Sequence, residues 1–349
     1  MAILGRRRSA IVAVVAALVV AAIGVANVRA DPAPDLPAIG GDALLASSLA
    51  ALAGPVTISG NVETRFDLGI PQIPSSVSGG LGGGVAGVLS LVTGDQRYEV
   101  WRSPEGVRIA HLLPFSEQDL VVNASDAWFW DASDMSAVHA GSPGMKLWRA
   151  SSSVGGADVL GSVRRALDAL APYADVSVDT TSTVAGRPAY TLVLTPTSTL
   201  TLVGGIAVAV DAETRLPLRL QVFARGGDRA AAEAGFRDVS FDAIDPSMFA
   251  FAPPPGTTVR QGADVIAGIR ASAGHDPAPP ASDPLTFGSG FDLRVAARLG
   301  AALPEAVAAL LPYAGPLLSA ITVERDGQTW VLMGPVSVAT LEEDAASLP

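Results

Sequence analysis

Read from residue 42 onward, the chain's apolar positions change period several times. Leu44, Leu45, Leu49 and Leu52 recur at helical spacing behind Asp42, and Gly54-Pro55 stops the run, which predicts a helix over residues 42–53. The period then becomes two. Val56, Ile58, Val62, Thr64, Phe66 and Leu68 alternate with Glu63, Arg65 and Asp67, the pattern of a strand with one buried face. Further strands are predicted at 97–102 and 107–113, joined through Ser103-Pro104-Glu105-Gly106, and at 119–123 and 127–131; the residues between them have turn chemistry. Val163, Ala166, Leu167 and Leu170 share one face of a short helix at 161–170. Strands follow at 176–184, 188–196, 205–210, 217–224 and 234–241, and Pro253-Pro254-Pro255-Gly256 closes the run. The tail predicts a helix near 292–299 and a hairpin around Arg325-Asp326-Gly327-Gln328, with Trp330 on its second arm.

This is a meander of strands with a few short helices, an α+β pattern rather than alternating βαβ units. A large curved sheet must bury one face on helices or line a cavity with it. The apolar side chains on these strands allow both readings. Trp128 and Trp130 fall on one strand face and Phe129 on the other, while Leu216, Leu218, Leu220 and Val222 are expected to share a face opposite Arg219, Gln221 and Phe223. Aromatic residues on strands usually belong to the core; the alternative is that several line a lipid-sized cavity.

The chain is apolar beyond the ordinary. Charged residues make up 16%, against about 25% in a typical soluble domain, and the mean hydropathy is +0.39. Part of this lies in residues 1–30. Arg6-Arg7-Arg8 precedes an apolar run at 10–26 that ends in Val28-Arg29-Ala30, the layout of a cleaved signal peptide or, if uncleaved, an N-terminal anchor. Either places the rest outside the cytoplasm. Residues 31–41 read as an extended linker, 75–94 as a Ser- and Gly-rich insertion and 261–284 as a Pro- and Ala-rich linker before a small region at 285–349.

The 23 Lys+Arg and 34 Asp+Glu give a net charge of −11, and without the four arginines of residues 1–30 the remainder stands at −15. That argues against a nucleic-acid binder, which needs a basic face. The absence of cysteine excludes disulfides, thiolate metal sites, a cysteine nucleophile and a lipidated N-terminal cysteine. His111, His139 and His275 are scattered, and no partner motif orients them; His111 falls on a strand and His139 in a loop-like stretch. The glycines at 82–87 fit a dinucleotide fingerprint in letters but follow no buried strand. No zinc-protease motif and no nucleophile elbow occurs; Gly288-Ser289-Gly290 is too short for the latter. Asp131 and Asp134 match no calcium spacing. No catalytic residue, cofactor or metal is therefore expected.

The order of the strand motifs resembles the LolA/LolB-like superfamily. The carriers of that resemblance are Tyr98-Glu99-Val100-Trp101, Gly106-Val107-Arg108-Ile109-Ala110, residues 119–124 and Ala127-Trp128-Phe129-Trp130-Asp131. In the second half they are residues 184–192 around Gly186-Arg187-Pro188, residues 208–218 around Asp211, and residues 241–249 around Asp245-Pro246. The likeness covers roughly residues 42–260; the insertion at 75–94 departs from it, and Ser125-Asp126 stand where a glycine is usual. Lipoprotein carriers and regulators of the RseB/MucB type share this half-barrel. The resemblance implies a large antiparallel sheet curved into an unclosed half-barrel with short lid helices, plus a small C-terminal α+β segment. It implies a non-enzymatic envelope protein that binds lipid or lipoprotein acyl chains in an apolar cavity, as a carrier. The alternative is an envelope-stress regulator that binds an anti-sigma factor or another membrane protein. The expected cavity liners are Phe66, Trp101, Trp128, Trp130, Leu192, Leu218 and Leu220.

Overall fold

A computed structural model describes residues 34–69, 94–141, 159–262, 284–299 and 308–349. The export segment at 1–30, nearly all of the Ser- and Gly-rich insertion, Trp148, His275 and most of the 261–284 linker lie outside the described residues.

Twelve strands form one sheet. In chain order they are β1 (Ile58–Phe66), β2 (Gly94–Ser103), β3 (Gly106–Leu113), β4 (Ser116–Asn123), β5 (Ala127–Asp131), β6 (Ser136–Ala140), β7 (Ala174–Val184), β8 (Arg187–Pro196), β9 (Val203–Asp211), β10 (Pro217–Ala224), β11 (Ala230–Phe236) and β12 (Thr258–Gln261). Their spatial order is β12-β6-β5-β4-β3-β2-β1-β11-β10-β9-β8-β7. Two antiparallel meanders, β1 to β6 and β7 to β11, meet where β1 pairs with β11. The edge strands β12 and β7 do not pair with each other, so the half-barrel stays open. Beyond the two meanders, β12 lies parallel to β6 at the edge of the sheet.

Helices α1 (Gly41–Ala53) and α2 (Val159–Leu170) lie against one face, called here the inner face. Leu44, Leu45 and Leu167 pack there on Phe66, Tyr190, Leu192, Leu194, Val208, Leu220 and Val222. The residues leading into α1 are pinned to the β7 and β8 edge: Thr181 Oγ1 donates to the Pro34 carbonyl (2.6 Å) and the Tyr190 hydroxyl to that of Pro37 (2.9 Å). The helices thus cover the inner side of β7 to β11 and leave that of β2 to β6 free of described helices.

The outer face is covered differently. After β11 the chain crosses the sheet as a belt over residues 237–257. Asp238 is bonded by the backbone and side chain of Asn61, and Ser240 pairs with Ser59. Val239 and Phe241 pack on Leu218 and Ala209 of this face and also reach the cluster of Leu52, Ile58 and Leu216, and Phe249 is buried against β3 and β4. Gly60 permits this crossing: at its φ of +155° a Cβ would collide with the Asp238 carbonyl.

A second sheet of five strands follows: β13 (Leu285–Phe287), β14 (Arg294–Arg298), β15 (Tyr313–Ala314), β16 (Ser319–Arg325) and β17 (Gln328–Gly334), with helix α3 (Val338–Ala345). The predicted helix near 292–299 is instead a short 3-10 turn followed by β14. Pairing with β13 and β17 and a buried Arg294–Asp344 ion pair (2.6 Å) override the helical spacing. The two sheets touch closely. Phe291 and Leu317 belong to the apolar cluster under α1, Leu202 N–H donates to the Pro335 carbonyl (2.7 Å) and the Tyr313 hydroxyl to that of Leu68.

Candidate functional site

Strand alternation and register place the inner-face side chains of β2 to β6 in rows that cross the strands. One row runs Val100, Ile109, Leu120, Phe129, Val138. Every member is at least partly exposed, and Phe129 retains 43% of its surface. A second row, Val107, Val122, Ala127, Ala140, lies beside it and starts at Arg102. Together they make an apolar band that no described residue covers as α1 and α2 cover the rest of the inner face.

The band has a polar border on its other side. Tyr98, His111, Gln118, Asp131 and Ser136 form the next row. The Tyr98 and His111 rings stack with centroids 4.6 Å apart. His111 Nε2 lies 2.8 Å from Gln96 Oε1, and Gln118 Nε2 donates to Asp131 Oδ2 at 2.7 Å. Burial pushes the His111 imidazole below its ordinary range, against the opposing Gln118 hydrogen bond, so the ring is neutral at pH 7. Burial pushes the Tyr98 phenol up to about 12. Burial alone would raise Asp131, but hydrogen bonds from Ser133 and Gln118 hold its carboxyl below the usual range. The border is therefore hydrogen-bonded and carries one anionic group at its β5 end. It holds no activated nucleophile, and among the described residues no group of three or more acidic or histidine side chains is placed to hold a metal ion.

The seven expected liners divide between the two faces. Phe66, Leu192 and Leu220 meet in the inner-face cluster beneath α1 and α2. Leu218 does not join them. A bulge between Pro217 and Arg219 turns it toward Val184, Ala189 and Ala209, so the expected shared face of Leu216, Leu218, Leu220 and Val222 is broken. Trp101, Trp128 and Trp130 project from the outer face, in register with Arg108, Val121 and Asp119. Trp128 stacks on His139 (4.1 Å) and meets Phe251 of the belt (5.4 Å), as Trp130 does (6.2 Å). The Arg108 guanidinium lies over Trp101 at 5.6 Å and bonds the buried Asp119 at 2.6 Å. His139, expected in a loop, sits on β6 and bonds Asp126 at 2.7 Å.

Two parts of the inner face escaped the sequence reading: the apolar row opposite the tryptophans and the polar row with His111. Strand alternation contained the signal, since it already set Phe129 against Trp128 and Trp130.

No protein-family profile matches the chain, and no curated protein matches it. Solved structures do. A chain of the Pseudomonas aeruginosa MucA/MucB complex is 18% identical, with 86% of this chain and 95% of that chain covered and a TM-score of 0.45. A crystal structure of MucB is 17% identical over 88% of this chain and 96% of that chain, TM-score 0.43. A LolA superfamily protein from Nitrosomonas europaea is 10% identical over 61% of this chain and 99% of that chain, TM-score 0.23. Among the described residues no helix is long and apolar enough to cross a membrane.

Proposed function

We propose that this is a non-enzymatic, exported cell-envelope protein that binds an acyl chain of a lipid or lipoprotein on the inner face of its sheet. One observation carries the reading: the partly exposed apolar row Val100, Ile109, Leu120, Phe129, Val138 on the inner face. At about 4.8 Å per strand the row is roughly 19 Å long. One leaflet's hydrocarbon is about 15 Å deep, half the bilayer core, so one membrane acyl chain fits along it. Each methylene removed from water contributes about 0.8 kcal/mol. A chain of about a dozen carbons then contributes up to about 10 kcal/mol, which offsets the lower and middle part of association costs of order 4–15 kcal/mol without polar recognition. In this reading Phe66, Leu192 and Leu220 form the floor of the covered half, Trp128 and Trp130 fasten the belt to the outer face through Phe251, and Trp101 packs under Arg108 there. Native mass spectrometry of protein gently extracted from its envelope is expected to show a lipid adduct. Delipidated protein that fails to take up a fluorescent fatty acid would refute the proposal.

A second reading, regulation by binding an anti-sigma factor, is favoured by the docked C-terminal sheet. Its face away from α3 presents Thr322, Val331, Met333 and Val295, all at least partly exposed. Deleting this module would strip Phe291 and Leu317 from the core, so surface variants are the cleaner test. Val331→Glu that abolishes co-purification of an anti-sigma factor while fatty-acid uptake persists supports regulation; unchanged co-purification argues against this face.

A further inference from the structure

Of the buried, unpaired hydroxyls on the inner side of the fold, those of Ser48 and Thr64 belong to fully buried residues. Ser48 lies on the sheet-facing side of α1 with Leu44, Leu45 and Leu52 and is 0% exposed; Thr64, on β1, is 2% exposed. Neither hydroxyl oxygen has a hydrogen-bond partner among the described residues. A helical serine ordinarily reaches back to a carbonyl one turn earlier, as the neighbouring Ser47 does to Leu44 (2.8 Å). A buried hydroxyl without a partner has lost its water for nothing in return, so each such group calls for an explanation.

Thr64 also stands at a particular place. Its cross-strand neighbours are Ala234, in the cluster beneath the helices, and Gln96, which belongs to the open half and bonds His111. The hydroxyl therefore sits at the seam between the covered core and the open inner face. An alkyl chain offers nothing to an O–H donor there, whereas an ester or amide carbonyl does.

We infer that Thr64 and Ser48 donate hydrogen bonds to the carbonyl oxygen of an ester- or amide-linked acyl chain. The site thereby selects acyl esters over ether-linked or plain hydrocarbon chains. This inference rests on the acyl-binding reading above, and its test separates the two. Delipidated full-length protein is titrated calorimetrically with dioctanoyl phosphatidylcholine and with its dioctyl ether analogue, which lacks the carbonyls. The ester is expected to bind on the order of tenfold more tightly, the worth of one good hydrogen bond. Thr64→Val keeps the shape and removes the donor. It is expected to abolish most of that preference, with ether affinity unchanged, and Ser48→Ala to reduce it. Both variants should melt at or above the wild-type temperature in the lipid-free state, because each removes an unpaired polar group.

Equal wild-type affinity for ester and ether overturns the carbonyl contact and leaves acyl binding standing, while binding of neither overturns the acyl reading itself. A lower lipid-free melting temperature for Thr64→Val would show a structural role for the hydroxyl and also overturn the inference. A diacylglyceryl-cysteine peptide in the same titration identifies the source. Tighter binding of the peptide assigns a lipoprotein and tighter binding of the phospholipid a membrane lipid; either supports the contact provided Thr64→Val weakens it.

Discussion

Leu120 occupies the middle of the open apolar row, between Ile109 and Phe129, and substituting it tests the proposed site directly. The side chain is mostly but not fully buried in the lipid-free fold, so its replacement leaves a cavity and costs about 1–2 kcal/mol of stability. Binding is a different matter. An acyl chain along the row would cover only the minor part of the leucine still exposed, at most about 0.7 kcal/mol of the roughly 2 kcal/mol that full burial contributes. Leu120→Ala should weaken fatty-acid binding about threefold at most. Leu120→Asp puts a carboxylate under the chain, where no described inner-face cation neighbours it in the row, and the desolvation penalty is several kcal/mol. Affinity should fall at least about 100-fold. Displacement of a fluorescent fatty acid measures both, and circular dichroism verifies that the fold survives. Trp128→Ala on the outer face is the control: it should lower thermal stability by breaking the stack with His139 and Phe251 without changing affinity. If Leu120→Asp binds fatty acid like the wild type while Trp128→Ala does not, the ligand lies on the outer face and the reasoning is refuted.

Three further outcomes follow from the packing and the charges. Leu192 is fully buried beneath the helices, and Leu192→Ala should cost about 2–5 kcal/mol, read as a lower urea midpoint with an unchanged slope. Asp211, also fully buried, accepts from Arg187 Nε (2.5 Å) and from the Thr214 backbone (2.7 Å); although burial pushes its carboxyl up, these bonds hold it below the usual carboxylate range. Its stabilisation is therefore present above the unfolded value, near 3.9, and is lost as pH falls through the lower folded value. Asp211→Asn should cost about 3–5 kcal/mol at pH 7 and flatten the acid limb of urea midpoints against pH; a steep acid limb in the variant would contradict this. Glu233 behaves oppositely, since burial raises it above 4.5 despite nearby Arg219 and Arg65. Its contribution is fully present below the unfolded value and fades as pH rises through the folded one. Glu233→Gln, which retains an acceptor for Gln221, should then stabilise the protein at pH 7 relative to pH 4, and a variant less stable at pH 7 would contradict that.

The antiparallel hairpins were legible because each carries its own signal. Alternation gives the strands, and Ser103-Pro104-Glu105-Gly106 or Ala185-Gly186 gives the turn between them. What long-range pairing decides was not legible. Residues 292–299 have helical spacing, yet β17 and the Arg294–Asp344 pair hold them extended. The strand expected at 234–241 is regular only over Ala230–Phe236; beyond it Arg237 and Ser240 still bond Asn61 and Ser59 of β1, with Asp238 and Val239 bulged between them. The short strands β6 and β12 have too few residues for a period to emerge. The site divided the same way. Phe66, Leu192 and Leu220 could be placed on the inner face by alternation, whereas one bulged residue at Leu218 reverses a face without changing composition. The tryptophans drew attention by size, but size does not say which side of a sheet a side chain serves.

The belt also accounts for the apolar composition. A sheet that faces water on one side alternates apolar and polar residues, while one covered on both sides reads as a nearly continuous apolar run. β9 is such a run: from Ile206 to Asp211 only Ala207 is not buried. Its Val208 and Val210 lie under the helices while Ala209 packs with Leu218 in a cluster that Val239 and Phe241 of the belt close. The edge strand β7 still alternates. With the outer face closed by the belt on one half and by the Trp128, Trp130 and Phe251 cluster on the other, a long apolar ligand has only the inner side of β2 to β6 to occupy among the described residues. Among the described residues the excess hydrophobicity is thus divided between two covered faces and one partly exposed band, the band that the proposed acyl site uses.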